Sequence, residues 1–383
     1  MKSPDFWKTR LTSAFFSTLS RLAGVLLLSC CLIRDSRGQA PVNGTGGGQG
    51  FTIRLLTENT PTSIRAVSAL SDSVVWVCGS AGHVGRSTDG GKTWRWSVVP
   101  GGEKLDLRSM AAFDTGSAVV AVAGAPAFIF RTTDAGAHWK KVYTNRDTAV
   151  FLDGMTFRDK KHGIAYGDPI RGRFLILGTR DGGKHWKALP RKDRPLAEAG
   201  EASFAASNSA IASLGRRLWI GTGGSVARVL RSKNFGRRWK AVPTGMLQGK
   251  NSTGIFSVAF FDPDNGFCVG GDYAADSVRL ANALITTDGG SHWKKPIIGP
   301  HGYRSSVTYH SRDTLFATGT SGTGVSTNGG HTWKQISRQG FNVVQRAREG
   351  SSVFLAGAKG RIARIGFSTR YAGELPNSLK AKE

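Results

Sequence analysis

The chain has 383 residues and carries 52 Lys and Arg against 26 Asp and Glu, a formal net charge of +26. A surface this basic favours acidic partners, but no Lys/Arg run resembles a nucleic-acid arm, so nucleic acid ranks last among them. After residue 40 no long stretch follows the 3.6-residue period, which excludes a helical architecture and leaves an all-β chain.

Residues 1–40 open with Lys2, Lys8, Arg10 and Arg21, run apolar from Leu22 to Ile33, and end Gly38-Gln39-Ala40. This reads as a secretory signal cleaved after Ala40, because the apolar run is shorter than the roughly 20 residues a spanning helix needs. The rival is a lipoprotein signal using Leu27-Leu28-Ser29-Cys30. The first 40 residues hold six basic and two acidic side chains, so +22 would remain on the exported chain. Residues 41–50 form a Gly-rich linker, and residues 368–383 a polar C-terminal tail. The protein is therefore expected in a periplasm, a lumen or the extracellular space.

From residue 51 the text consists of short β-rich runs such as Val74 to Cys78, Ala118 to Ala123, Leu218 to Ile220 and Leu315 to Ala317, separated by Gly-containing turns. Through them runs one spacing, Ser/Thr-x-Asp/Asn-x-Gly-x-x-Trp. It occurs six times, with Asp89 and Trp94, Asp134 and Trp139, Asp181 and Trp186, Asn234 and Trp239, Asp288 and Trp293, and Asn328 and Trp333. The Asp or Asn can cap the turn's own N–H groups, the Gly accepts positive φ, and the Trp offers a large apolar wedge between sheets. Successive turns are 45, 47, 53, 54 and 40 residues apart, room for four short strands, which is the interval of a propeller blade.

The turn resembles the Asp-box, or BNR repeat, of sialidase-type propellers. Gly124-Ala125-Pro126, Phe151-Leu152-Asp153-Gly154-Met155, Gly167-Asp168-Pro169 and Gly270-Gly271-Asp272-Tyr273 more closely resemble the Ycf48-like propeller family, over residues 51–367. That family includes photosystem II assembly factors, and the resemblance implies a protein-interaction module with an arginine-rich docking patch. The repeated turns are specific for the fold and much less so for function.

After the sixth turn one more set of strands follows, Phe341 to Arg346, Ser352 to Ala356 and Arg361 to Phe367, without an outermost member. Phe51 to Leu56 precedes the first full repeat where an outermost strand should lie. Joining the two gives a seven-bladed β-propeller whose last blade is closed by both ends of the chain, leaving no free edge. Cys78 and Cys268 then occupy equivalent strands of blades 1 and 5 and read as two buried thiols, not a disulfide.

With strands a to d counted from the axis outward, the six turns join c to d on one face. The b-to-c turns and the links to the next blade lie on the other, where Pro190 to Gly200 and Gly271 to Asn282 supply the extra length. Arg65 and Arg108 enter strand a on that face, with Arg304 near the same place in blade 6 and Asp153 in blade 3. These arginines would grip carboxylates of a partner, or stand as solvated or Asp153-paired surface groups. Asp168 and Asp272, in b-to-c turns, are the acid–base candidates of a glycoside-hydrolase reading, against ordinary turn capping. A sialidase, however, needs an Arg-Ile-Pro signature and a Glu-activated Tyr; the signature is absent, and no Glu lies between Glu201 and Glu349. His138, His185, His292 and His331 sit in four separate turns, so neither metal nor cofactor is expected. The reading is a non-enzymatic, monomeric module for an acidic surface of an exported or membrane-associated protein, with a polyanionic glycan or a sialidase-like hydrolase as the alternatives.

Overall fold

The computed structural model of the chain describes residues 50–368; the signal, the Cys30 lipobox, nearly all of the linker and the C-terminal tail lie outside the described residues. Seven antiparallel sheets follow one another, and consecutive strands pair as neighbours in all but the fourth, fifth and seventh. Blade 1 comprises Ile64–Ala69, Val75–Gly79, His83–Ser87 and Arg95–Val98, and blade 2 repeats it with Leu107–Ala112, Ala118–Val122, Ala127–Thr132 and Lys140–Asn145. The inner strands are almost continuously apolar because both of their faces are covered by neighbouring blades: every residue of Val75–Gly79 and of Ala118–Val122 is buried. The outer strands face water on one side and carry the polar residues.

The seventh blade is built from both ends of the chain, as the sequence predicts. Val343–Arg346, Val353–Ala356 and Ile362–Ser368 are closed by Gly50–Thr57, with Phe51 opposite Phe367 and Ile53 opposite Ile365. Blade 5 departs from the plan. Glu201–Ala202 and Gly223–Gly224 add two short strands to its inner edge, and its outer strand shrinks to one bridge, Ile285 to Lys294. The long segment before blade 4 is thus part of a sheet, pinned where Arg228 meets Glu201 and Glu198.

Seven apolar clusters fill the interfaces between adjacent blades. The Trp of each repeated turn belongs to the cluster shared with the preceding blade, as Trp186 does among Val119, Ile129 and Leu177. The turns themselves are closed locally. Thr179 Oγ1 donates to Asp181 Oδ1 (2.9 Å) and accepts from the Gly183 amide (3.0 Å), while Asp181 Oδ1 accepts the His185 amide (3.1 Å). Gly183 has φ 79°, and a Cβ there would stand 2.8 Å from Val119 Cγ2, so only glycine fits. The residue before the turn's Ser or Thr is Arg in three blades, and Arg86, Arg131 and Arg231 each cross to a backbone carbonyl of the next blade.

Candidate functional site

The repeated turns lie on one face, and the mouth of the channel opens on the other. Pairing between strands a and b skips one residue in four blades: Arg65 in blade 1, Arg108 in blade 2, Asp153 in blade 3 and Phe256 in blade 5. A bulge of this kind frees a residue from the ladder and re-aims its side chain. Sequence position alone aligns the first three; Phe256 carries no signal that would mark it.

The channel is crossed just below this level by residues 203–209. Asn208 Nδ2 donates to the Met110 carbonyl (2.9 Å), and its Oδ1 accepts the Met155 amide (2.8 Å). Ser207 Oγ donates to the Ser305 carbonyl (2.6 Å), and Ser209 Oγ meets Ser257 and Ser306 (2.7 and 3.3 Å). One segment therefore ties blades 2, 3, 5 and 6 together across the axis and gives the mouth a floor.

On this floor the charges are unequally satisfied. Arg108 is held by Asp106, whose Oδ2 accepts Nε and Nη2, both at 2.7 Å, and Nη1 donates to the Ala205 carbonyl at 3.3 Å. Its ion pair is thus with Asp106, not Asp153. Arg65 has no hydrogen-bond or ion-pair partner among the described residues; burial, then the positive charge of Arg108, lowers its pKa, while Asp106 and Tyr303 oppose this. Asp153 is 1% exposed with both carboxyl oxygens unpartnered among the described residues, and burial followed by the nearby Asp168 pushes its pKa well up. Asp168 accepts the Ser203 amide (2.9 Å) and is nonetheless raised by burial to about 6. Beside the arginines stands an aromatic wall. Phe204 stacks on Phe256 at 3.9 Å, Tyr303 meets Phe256 edge-on at 4.8 Å, and Tyr273, 49% exposed, packs against both Phe256 and Tyr303.

Two sequence assignments change here. Arg304 is fully buried, so it does not share the mouth with Arg65 and Arg108; it donates to the Tyr303 carbonyl and Ser321 Oγ, and burial lowers its pKa to about 10, opposed by Asp276 and reinforced by Arg279. The reason is register: Ser306 stands opposite Thr318 as Ala66 stands opposite Cys78, so Arg304 takes the place of the buried Ile64, one residue before the Arg65 position. Asp168 and Asp272 are not paired either. The carboxyl beside Asp168 is Asp153, whereas Asp272 caps its own turn through the Ala274 amide (2.9 Å) and meets Lys250 Nζ at 3.6 Å. Burial opposes ionisation of Asp272, but its hydrogen bonds, from Ser252 first, and Lys250 outweigh it and lower the pKa. Among the described residues no three His, Cys, Asp or Glu side chains converge as metal ligands, and Cys78 and Cys268 are buried free thiols.

The family model described as photosynthesis system II assembly factor YCF48 matches residues 51–149, which hold the closing strand and the first two blades with Arg65 and Arg108. Among solved structures, a YCF48 bound to a D1 peptide is 14% identical with a TM-score of 0.58 and covers 85% of this chain and 98% of its own. The first two blades thus match the Ycf48 family model, and the whole ring shares the propeller fold of a solved YCF48. YCF48 from Cyanidioschyzon merolae is 18% identical, with a TM-score of 0.57 over 82% of this chain and 98% of that one. A GH74 xyloglucanase from Xanthomonas campestris shares the fold at 14% identity and a TM-score of 0.55, over 82% of this chain but 53% of its own. No curated protein matches the sequence. At these identities the solved structures speak for the fold, and the chemistry of the mouth has to be argued from its own residues.

Proposed function

We propose that this Ycf48-like propeller is an exported, non-enzymatic docking module whose channel mouth takes an acidic segment of an exported or membrane-associated protein. Arg65 carries the reading: a bulge presents its guanidinium at the mouth, no carboxylate of its own answers it, and the Tyr273–Phe256–Tyr303 wall stands nearby. A guanidinium without a partner, next to apolar rings, suits a carboxylate flanked by hydrophobic side chains. The likeness to a YCF48 bound to a D1 peptide supports a polypeptide as the ligand. Arg108 would assist by fixing the floor through Asp106 and Ala205, and Arg304 has no part. The apolar run ending at Ala40 supports export, and N-terminal sequencing of the mature protein should begin at Pro41.

The test is affinity purification of the exported chain from its own host, comparing wild type with Arg65→Glu. The variant should lose its acidic partner while its melting temperature stays unchanged. Retained binding in Arg65→Glu would place docking elsewhere, and glycosidase turnover abolished by Asp168→Asn would make the protein a hydrolase instead.

A further inference from the structure

The strongest asymmetry of charge lies on the opposite face, among the repeated turns. In blades 3 and 4, residues 158–162, 180–187, 215–217 and 231–240 hold 13 Lys and Arg against two acids. The corresponding segments of blades 5 and 6, residues 261–265, 287–294, 310–314 and 325–334, hold three against four. A basic composition alone would spread evenly over equivalent turns of one scaffold. Here it is concentrated in two neighbouring blades.

These turns form one continuous ridge. The Gly182 amide donates to the Lys161 carbonyl and the Phe235 amide to the Arg216 carbonyl, while the Arg158 guanidinium crosses from blade 3 to lie 4.7 Å over the Phe235 ring of blade 4. The two acids are spent inside their own turns, Asp159 on His162 and Arg158, and Asp181 on Thr179 and His185. In blade 4 the turn carries Asn234 where three others carry Asp with His, so no negative charge offsets its cations. Lys160, Lys161, Lys184, Arg216, Arg237 and Arg238 are all exposed. Toward blade 2 the ridge borders a cleft of about 350 Å³ lined by Arg131, Lys140 and Lys184, with Asp134 bound to its own turn through Thr132 and His138.

We infer that this ridge docks the propeller onto a bilayer surface rich in anionic lipid headgroups. The geometry favours lipid over other polyanions. The turns repeat around a closed ring, which spreads their cations over two blades. The Trp rings of these turns are wedged between blades, leaving none free to stack on bases. Mobile headgroups can gather under lysines that nothing holds in a fixed geometry. Leu214, 36% exposed in the hairpin tip beside Arg216, offers an apolar contact at the same level. The ridge lies on the face opposite Arg65, so a membrane-docked propeller would keep its mouth open to a protein partner.

The full chain is mixed with phosphatidylcholine vesicles with and without phosphatidylglycerol, and the salt-dependent part of binding is measured. Wild type should bind the anionic vesicles only, and the neutralised variant K160Q/K161Q/R237Q/R238Q should bind them roughly a hundredfold more weakly. Arg65→Glu, on the other face, should bind as wild type does. Equal binding by wild type and the neutralised variant would overturn the inference. So would wild-type binding to heparin or duplex DNA without any to anionic vesicles, which would move the ridge to a different polyanion.

Discussion

Two pairs of carboxylates, one pair on each face of this ring, behave in opposite ways. In the repeated turns Asp89 and Asp134 are brought down to about 2, the first chiefly by the Thr93 hydroxyl and amide, the second by the His138 amide. At the mouth Asp153 and Asp168 are pushed up, chiefly by burial, and Asp153 finds no donor among the described residues. In the turns the Ser or Thr hydroxyl, the Asp or Asn side chain and the amides that follow bond to one another within five residues, a local gain from being folded. The mouth keeps charges that the fold does not satisfy, which is the condition expected where strain serves binding more than stability.

The largest effect should come from the turns. Trp186→Ala removes an indole wedged between blades 2 and 3 and should cost about 3–5 kcal/mol in denaturant unfolding. Stability close to wild type would mean that the turns do not hold the blades together. Arg108→Ala should cost less, about 1–2 kcal/mol, by freeing Asp106 and the Ala205 carbonyl from the channel floor. Asp181→Ala loses the turn's hydrogen bonds alone and should cost about 1 kcal/mol.

Acid and neutral pH should separate the two faces. For Asp168 the folded state keeps its proton between about 4 and about 6 while the unfolded chain has released it, so stability should fall as pH rises through that window. Asp168→Asn should flatten this slope in thermal melts. For Asp89 and Asp134 the sign reverses: the unfolded chain takes up protons first, and stability should fall as pH drops from about 4 toward 2. The smallest effect belongs to Arg65→Glu. It breaks no hydrogen bond and trades repulsion from Arg108 for repulsion from Asp106, so the melting temperature should move less than in the other variants even as partner binding is lost.

The blade count, the closure of the ring by its two ends and the role of each turn residue could be read from the sequence, because the physics behind them is local. A Ser or Thr, an Asp or Asn and a Gly bond to one another within five residues, and alternating short apolar runs leave few alternatives once six copies are counted. What decides the mouth is not local. Arg65, Arg108 and Arg304 stand near one another's places in the sequence, yet the first two are the residues skipped in strand a and turn outward, while Arg304 stands one position earlier, where blade 1 buries Ile64. Arg108 is completed by the Ala205 carbonyl, 97 residues away, and the floor that holds Ala205 exists only when blades 2, 3, 5 and 6 meet around the axis. No periodicity within one blade records a contact made across seven, so only the closed ring shows which arginine at the mouth is left without a partner.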